Sequence, residues 1–161
     1  MNLFILMIMT IITNNFNISS PVFKNQEPIP TAYTCEGANI NPPLGIEGIP
    51  KGTKTLALIM DDPDAVSGTF VHWLVWNISP MKMIDENSKP GIEGKNGAGK
   101  NGYTGPCPPS GTHRYFFKVY ALDTIIDLPV STGKETLERA MKGHILAKAE
   151  LIGYYQKGEI R

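Results

Sequence analysis

Residues 70–78 read Phe-Val-His-Trp-Leu-Val-Trp-Asn-Ile, an aromatic and β-branched run that suits a central strand with one imidazole set into it. Upstream, residues 54–60 (KTLALIM) form a compact apolar run after the turn Ile49-Pro50-Lys51-Gly52, as expected of a buried strand. Downstream, residues 114–122 (RYFFKVYAL) repeat the aromatic and β-branched composition. These three runs are expected to form the heart of one sheet. Between residues 18 and 46, Pro21, Pro28, Pro30, Gly37, Pro42 and Pro43 punctuate the chain into short strands joined by turns.

The period changes near the C-terminus. Leu137, Ala140, Met141, Ile145, Lys148, Leu151, Ile152 and Tyr155 recur at about 3.6 residues, which predicts an amphipathic helical stretch. Thr132 followed by Glu135 matches a capping box and places the helix start near Gly133, and Gly143 is expected to split the stretch into two helices. The fold class expected is therefore mainly β, closed by one or two C-terminal α-helices.

The 161 residues contain 15 Lys+Arg and 15 Asp+Glu, so the chain carries no long-range field that would hold nucleic acid or an anionic membrane. Any anion must be held by local geometry. Residues 1–15 are set apart as an apolar extension, and residues 16–161 read as a single domain. Residues 3–12 are apolar except for Thr10, too short to span a bilayer, which needs about 20 residues. Their length suits the core of a signal peptide. However, no Lys or Arg precedes them and no A-x-A-like cleavage site follows, so cytoplasmic and exported locations both stand. The plainer alternatives are a poorly ordered extension or an extra strand at the domain edge. Cys35 and Cys107 form no C-x-x-C pair, and by residue type the default is buried or loop thiols.

Residues 89–112 hold seven glycines and four prolines, a length of loop that usually serves function when ordered. Within it, Gly94 to Lys100 fits G-x-x-x-x-G-K. Asn101 stands where Ser or Thr should hold magnesium, and no strand–helix context surrounds it, so the match is read as chance. No other cofactor motif is present.

Three polar groups beside strands carry the chemistry: Asp61-Asp62-Pro63-Asp64, His72, and residues 108–115 (PPSGTHRY). Strand alternation puts His72 on a face with Phe70, Leu74 and Trp76, and His113 on a face with Tyr115. If the two strands are neighbours, both imidazoles and the phenol line one cavity, with Asp62 and Asp64 at its mouth. A carboxylate beside imidazoles favours their cationic form, and cationic imidazoles, a phenol and loop N–H groups suit an oxyanion. Taken singly, each feature has a structural reading. His72 alone would be a core histidine and Asp-Pro-Asp a turn. Arg114 would pair a carboxylate, Trp73 and Trp76 would pack, and His144 would be structural.

Together, Asp62-Pro63-Asp64-Ala65, His72-Trp73, and Gly105-Pro106-Cys107-Pro108-Pro109 with Gly111 and His113-Arg114-Tyr115 resemble the signature of the phosphatidylethanolamine-binding proteins. That family includes the Raf kinase inhibitor protein and prokaryotic relatives. Tyr33-Thr34-Cys35, residues 39–44 (NINPPL) and residues 143–147 (GHILA) extend the resemblance across residues 17–155. It implies a central β-sandwich of antiparallel or mixed sheets with an anion pocket at one end. By position the pocket would use Asp62, Asp64, His72, His113 and Tyr115, with Pro108 and Pro109 shaping its wall. It also implies binding of a phosphate or phosphorylated head group without catalysis, and a kinase or serine protease as candidate partner beside a second copy of the chain. The loops of Cys35 and Cys107 would be brought to one end, where a disulfide is expected. One departure is Val66, which stands where the family has a second proline and loosens the pocket rim. Two alternatives remain at this stage. One is a small hydrolase, for which Ser67, Ser110 and Cys107 are the nearby nucleophiles, none in an activating context. The other is a metal site of His72, His113 and Asp62.

Overall fold

The computed structural model describes residues 15–158, so the apolar run of residues 3–12 lies outside the described residues. The elements in chain order are β1 (Asn17–Ser19), β2 (Glu27–Pro28), β3 (Leu44–Glu47), β4 (Thr55–Asp62), β5 (Phe70–Ile78), β6 (Met83–Ile84), β7 (Ile92–Glu93), β8 (Thr112–Leu122), α1 (Lys134–Met141) and β9 (Ile145–Gln156). They form a three-stranded sheet, β1-β3-β6, and a six-stranded sheet, β2-β9-β8-β4-β5-β7. Most pairs are antiparallel, and β2 runs parallel to β9.

The three apolar runs do form the heart of the larger sheet. β4 is buried along its whole length because it is covered on both faces. Leu56, Leu58 and Met60 enter the core between the sheets, with Trp73, Tyr115 and Phe117. Ala57 and Ile59 face the other way, into a second core with Leu74, Trp76, Leu137 and Met141 beneath α1. An unbroken apolar sequence is what two covered faces require.

Two expectations are corrected. The strands of His72 and His113 are not neighbours, because β4 lies between them. Nor does His72 share the face of Leu74 and Trp76. Met60 pairs with Trp73 and Asp61 with Val71, which leaves His72 as the extra residue of a bulge in β5. Simple alternation fails across a bulge, and the His72 ring packs instead on Phe70 and Tyr115.

The C-terminal helical reading holds for α1 only. The helix starts next to Gly133, close to where expected, but Gly133 rather than Thr132 is the N-cap and no side chain caps it, so the capping box does not form. Thr132 instead accepts the Lys95 N–H with its carbonyl, which ties the helix entry to the glycine-rich loop. Gly143, at φ +85°, ends the segment in a conformation that favours glycine. Beyond it the expected second helix is the twelve-residue strand β9, paired with β8 from Ile145 to Gln156. Leu151 and Tyr155, four residues apart, fit period 2 as well as period 3.6, and the long ladder with β8 selects the former.

Candidate functional site

The larger sheet ends in a cavity of about 410 Å³ lined by Asp62, Phe70, His72, Pro108, Pro109, His113 and Tyr115, among others. A larger hollow of about 670 Å³ beside β1 and β3 contains no imidazole. Each strand of the site contributes one part. β4 delivers Asp62 at its last residue, β8 delivers His113 and Tyr115 on one face, and the bulge of β5 delivers His72. Asp62, His72, His113 and Tyr115 are all buried. Alternation along β4 sends the adjacent Asp61 to the opposite face, where Lys118 and Lys134 pair with it.

His113 Nδ1 donates to Asp62 Oδ2 at 2.7 Å, and Asp62 Oδ1 accepts the Asp64 N–H at 2.8 Å. His72 Nδ1 lies 2.6 Å from the Thr104 carbonyl and donates to it, which leaves Nε2 as the second ring nitrogen of both histidines. The His72 and Tyr115 rings meet edge-on at 5.1 Å. The Tyr115 hydroxyl is buried with no hydrogen-bond partner. Burial, and then the Asp62 charge, push the Tyr115 pKa up, so the phenol keeps its proton.

Burial holds the His72 imidazole below its ordinary pKa, and outweighs the Thr104 hydrogen bond and the Asp62 charge that pull the other way. The expectation of two imidazoles kept cationic by a carboxylate is therefore overturned at His72, since desolvation is the larger effect. The unfolded chain takes up a proton near pH 6.5 that the folded chain refuses. Stability is therefore expected to decline as pH falls below that value. Urea midpoints of wild type and His72→Gln across this range check it, and an equally steep decline in the variant would rule it out.

Asp64 does not line the cavity. Its carboxylate takes Arg114 Nε at 2.9 Å and Nη2 at 2.7 Å, together with the Arg114 backbone N–H. The Arg114 hydrogen bonds bring the Asp64 pKa down to about 2. Its role is to fix the turn after β4 onto the start of β8. Ser67 lines the cavity and Ser110 does not. Cys107 lines it but is joined to Cys35, with an S–S distance of 2.07 Å, so the default of free thiols gives way to the disulfide that the family resemblance implied, and Cys107 is no thiol nucleophile. Among the described residues, no three His, Cys, Asp or Glu side chains converge as a metal-holding group, so the alternative set of His72, His113 and Asp62 is not formed.

The glycine-rich loop serves the site differently from the expectation that its N–H groups face an anion. The Gly94 N–H goes to the Leu74 carbonyl, Gly97 to Val71, Gly99 to Asn96, and Gly105 to the Asn39 side chain. Asn96 organises the loop: its Oδ1 accepts the Ala98 and Lys100 N–H groups, and its Nδ2 donates to the Gly102 carbonyl and to Thr104 Oγ1. A phosphate-cradling loop needs those amides free, so the chance reading of the G-x-x-x-x-G-K match stands on hydrogen bonding as well. Sequence reasoning missed Phe70, Thr104 and Asn96. Only Phe70, two residues before His72, carried any signal.

Residues 19–156 match the phosphatidylethanolamine-binding protein family. A UPF0098 protein of Methanothermobacter thermautotrophicus is 47% identical over 150 residues, covering 88% of this chain and 99% of that protein. Among solved structures, the phosphatidylethanolamine-binding protein homolog CT736 of Chlamydia trachomatis is 41% identical with a TM-score of 0.87, covering 90% of this chain and 99% of its own. YbcL of E. coli, described as a member of the mammalian family, is 30% identical with a TM-score of 0.81, covering 88% and 98%. Among the described residues no helix is long and apolar enough to cross a membrane. With the motifs gathered at one sheet end, the sandwich architecture and a family match along most of its length, the chain belongs to the phosphatidylethanolamine-binding protein family.

Proposed function

We propose that the protein binds a phosphate-type oxyanion or phosphorylated head group, without catalysis, in the cavity of Asp62, His72, His113 and Tyr115. The observation that carries this reading is the Tyr115 hydroxyl, a buried donor with no protein partner in the wall of a cavity that also holds two imidazoles. A buried donor left unpaired is costly, and a ligand oxygen would satisfy it. Both Nδ1 atoms are already committed, so the imidazoles would reach an anion through Nε2, which is a donor only when the ring is protonated. Because burial favours neutral His72, the anion must bring a proton with it. Binding is thus coupled to proton uptake and strengthens as pH falls. Val66 and Pro109 are exposed on the cavity wall, so an occupied cavity changes the surface that a kinase or serine protease partner would meet.

Calorimetric titration of phosphate, phosphoethanolamine and sulfate at about pH 6 and about pH 8 tests the reading, straddling the ordinary imidazole pKa. Sulfate keeps its charge throughout, so its pH dependence belongs to the protein. Saturable binding is expected, roughly tenfold weaker at the higher pH. It should be lost in His113→Ala and weakened about five- to tenfold in Tyr115→Phe, the worth of one hydrogen bond. Absence of binding at either pH would overturn the reading.

A further inference from the structure

We propose that the Cys35–Cys107 disulfide is a reversible redox site that holds one wall of the anion cavity, so that thiol–disulfide exchange sets the affinity of that cavity. The proposal rests on the anion-binding reading for its consequence, but the redox site itself stands on separate geometry. The segment from Tyr103 onward crosses the sandwich end as a strap. Its first half is pinned several times over. Tyr103 donates its hydroxyl to the Tyr33 carbonyl, the Thr104 carbonyl accepts from His72, Gly105 donates to Asn39, and the Pro106 carbonyl accepts the Cys35 N–H. Packing there is so close that a Cβ on Gly105 would lie 2.6 Å from the Tyr33 carbonyl oxygen.

The second half is held differently. Among the described residues, 107–111 make no hydrogen bond to the rest of the protein before β8 begins at Thr112. Pro108 and Pro109 have no N–H to give, and Gly111 takes φ +70°. Yet Cys107, Pro108 and Pro109 line the cavity together with His113 and Tyr115. Among the described residues the disulfide is therefore the one bonded anchor of this wall ahead of β8. It ties the wall to the Cys35 turn, 72 residues away in sequence.

Both cysteines are exposed, so a dithiol reductant can reach the bond without unfolding the sheet. One thiolate of the reductant attacks a sulfur, forming a mixed disulfide and releasing the other cysteine as a thiol. Its second thiolate then displaces the remaining cysteine. Two electrons pass to the protein, which leaves with two thiols, and the reductant leaves as its cyclic disulfide. The remaining strap contacts keep the first half of the strap in place, so only the wall is freed.

The test uses the full chain, oxidised or treated with dithiothreitol under native conditions. Thiols are counted by maleimide mass shift and the fold is followed by circular dichroism. Two measurements follow: phosphate titration, and proteinase K cleavage mapped by mass spectrometry. Reduction is expected to proceed with unchanged circular dichroism. It should open cleavage within residues 107–111 and weaken phosphate binding at least tenfold, and reoxidation should reverse both. The double variant Cys35→Ser with Cys107→Ser should behave as the reduced protein without any reductant. A bond that resists native dithiothreitol, a reduced chain that unfolds, or a reduced chain with intact wall and unchanged affinity would each overturn the proposal. If phosphate binds neither form, the anion reading fails. Cleavage then decides the redox site alone, with redox-dependent cutting supporting it and redox-independent cutting overturning it.

Discussion

Asp61→Ala is expected to destabilise the protein by about 3 kcal/mol, the lower end of the range for removing one partner of a buried ion pair. Asp61 is 1% exposed, and its two oxygens take Lys118 Nζ at 2.8 and 2.9 Å and Lys134 Nζ at 2.6 Å. Without the carboxylate, two ammonium groups are left close together under α1. The lysines are about one-fifth exposed and can shift toward water, which keeps the loss at the lower end. The same physics predicts a rescue. Lys118→Met and Lys134→Met, added to Asp61→Ala, should recover most of the loss, because an apolar replacement of a whole buried ion group is close to neutral. Urea unfolding followed by circular dichroism reads both. A loss below about 1 kcal/mol for Asp61→Ala, typical of surface pairs, would show that the lysines escape fully into solvent.

Trp73→Ala is expected to cost about 4 kcal/mol, within the range for deleting a large buried aromatic. That is a large share of the roughly 5–15 kcal/mol that holds a typical domain together. Trp73 is fully buried, packs edge-on against Tyr103 at 5.7 Å, and donates its Nε1 hydrogen to Glu93 Oε1 at 2.9 Å. Trp73→Phe restores much of the volume and leaves the Glu93 carboxylate short of one donor, for an expected loss of about 1–2 kcal/mol. The effect should reach the site, because Tyr103 begins the strap whose Thr104 carbonyl orients His72. A loss for Trp73→Ala no larger than that of the Phe variant would mean that the cavity collapses completely, against the close packing of this core.

That β4, β5 and β8 form the heart of one sheet was legible in the runs around residues 54–60, 70–78 and 114–122, because buried strands leave an apolar, aromatic and β-branched signature; their order, with β4 in the middle, was not. β9 was not legible. Its apolar residues fit both periods, and the choice belongs to β8, a partner that local sequence cannot see. The start of α1 next to Gly133 was placed correctly, although the capping box that argued for it does not form.

At the site, the residue types and their order along the chain were enough to point to Asp62, His72, His113, Tyr115, Pro108 and Pro109, which the fold gathers around one cavity. Asp64 has the same side chain as Asp62, but lies two residues further on, past the end of β4, where Arg114 claims it. Sequence also carried the neutral charge balance and the family signature, because both are properties of composition and order alone. Three things were left to tertiary structure: the bulge that turns His72 toward Tyr115, the burial that disfavours its cation, and the bond between Cys35 and Cys107, which the family resemblance implied but the residues themselves did not decide. Each depends on distances between segments far apart in the chain. Protonation and covalent pairing follow the local environment in space, which only the folded packing creates.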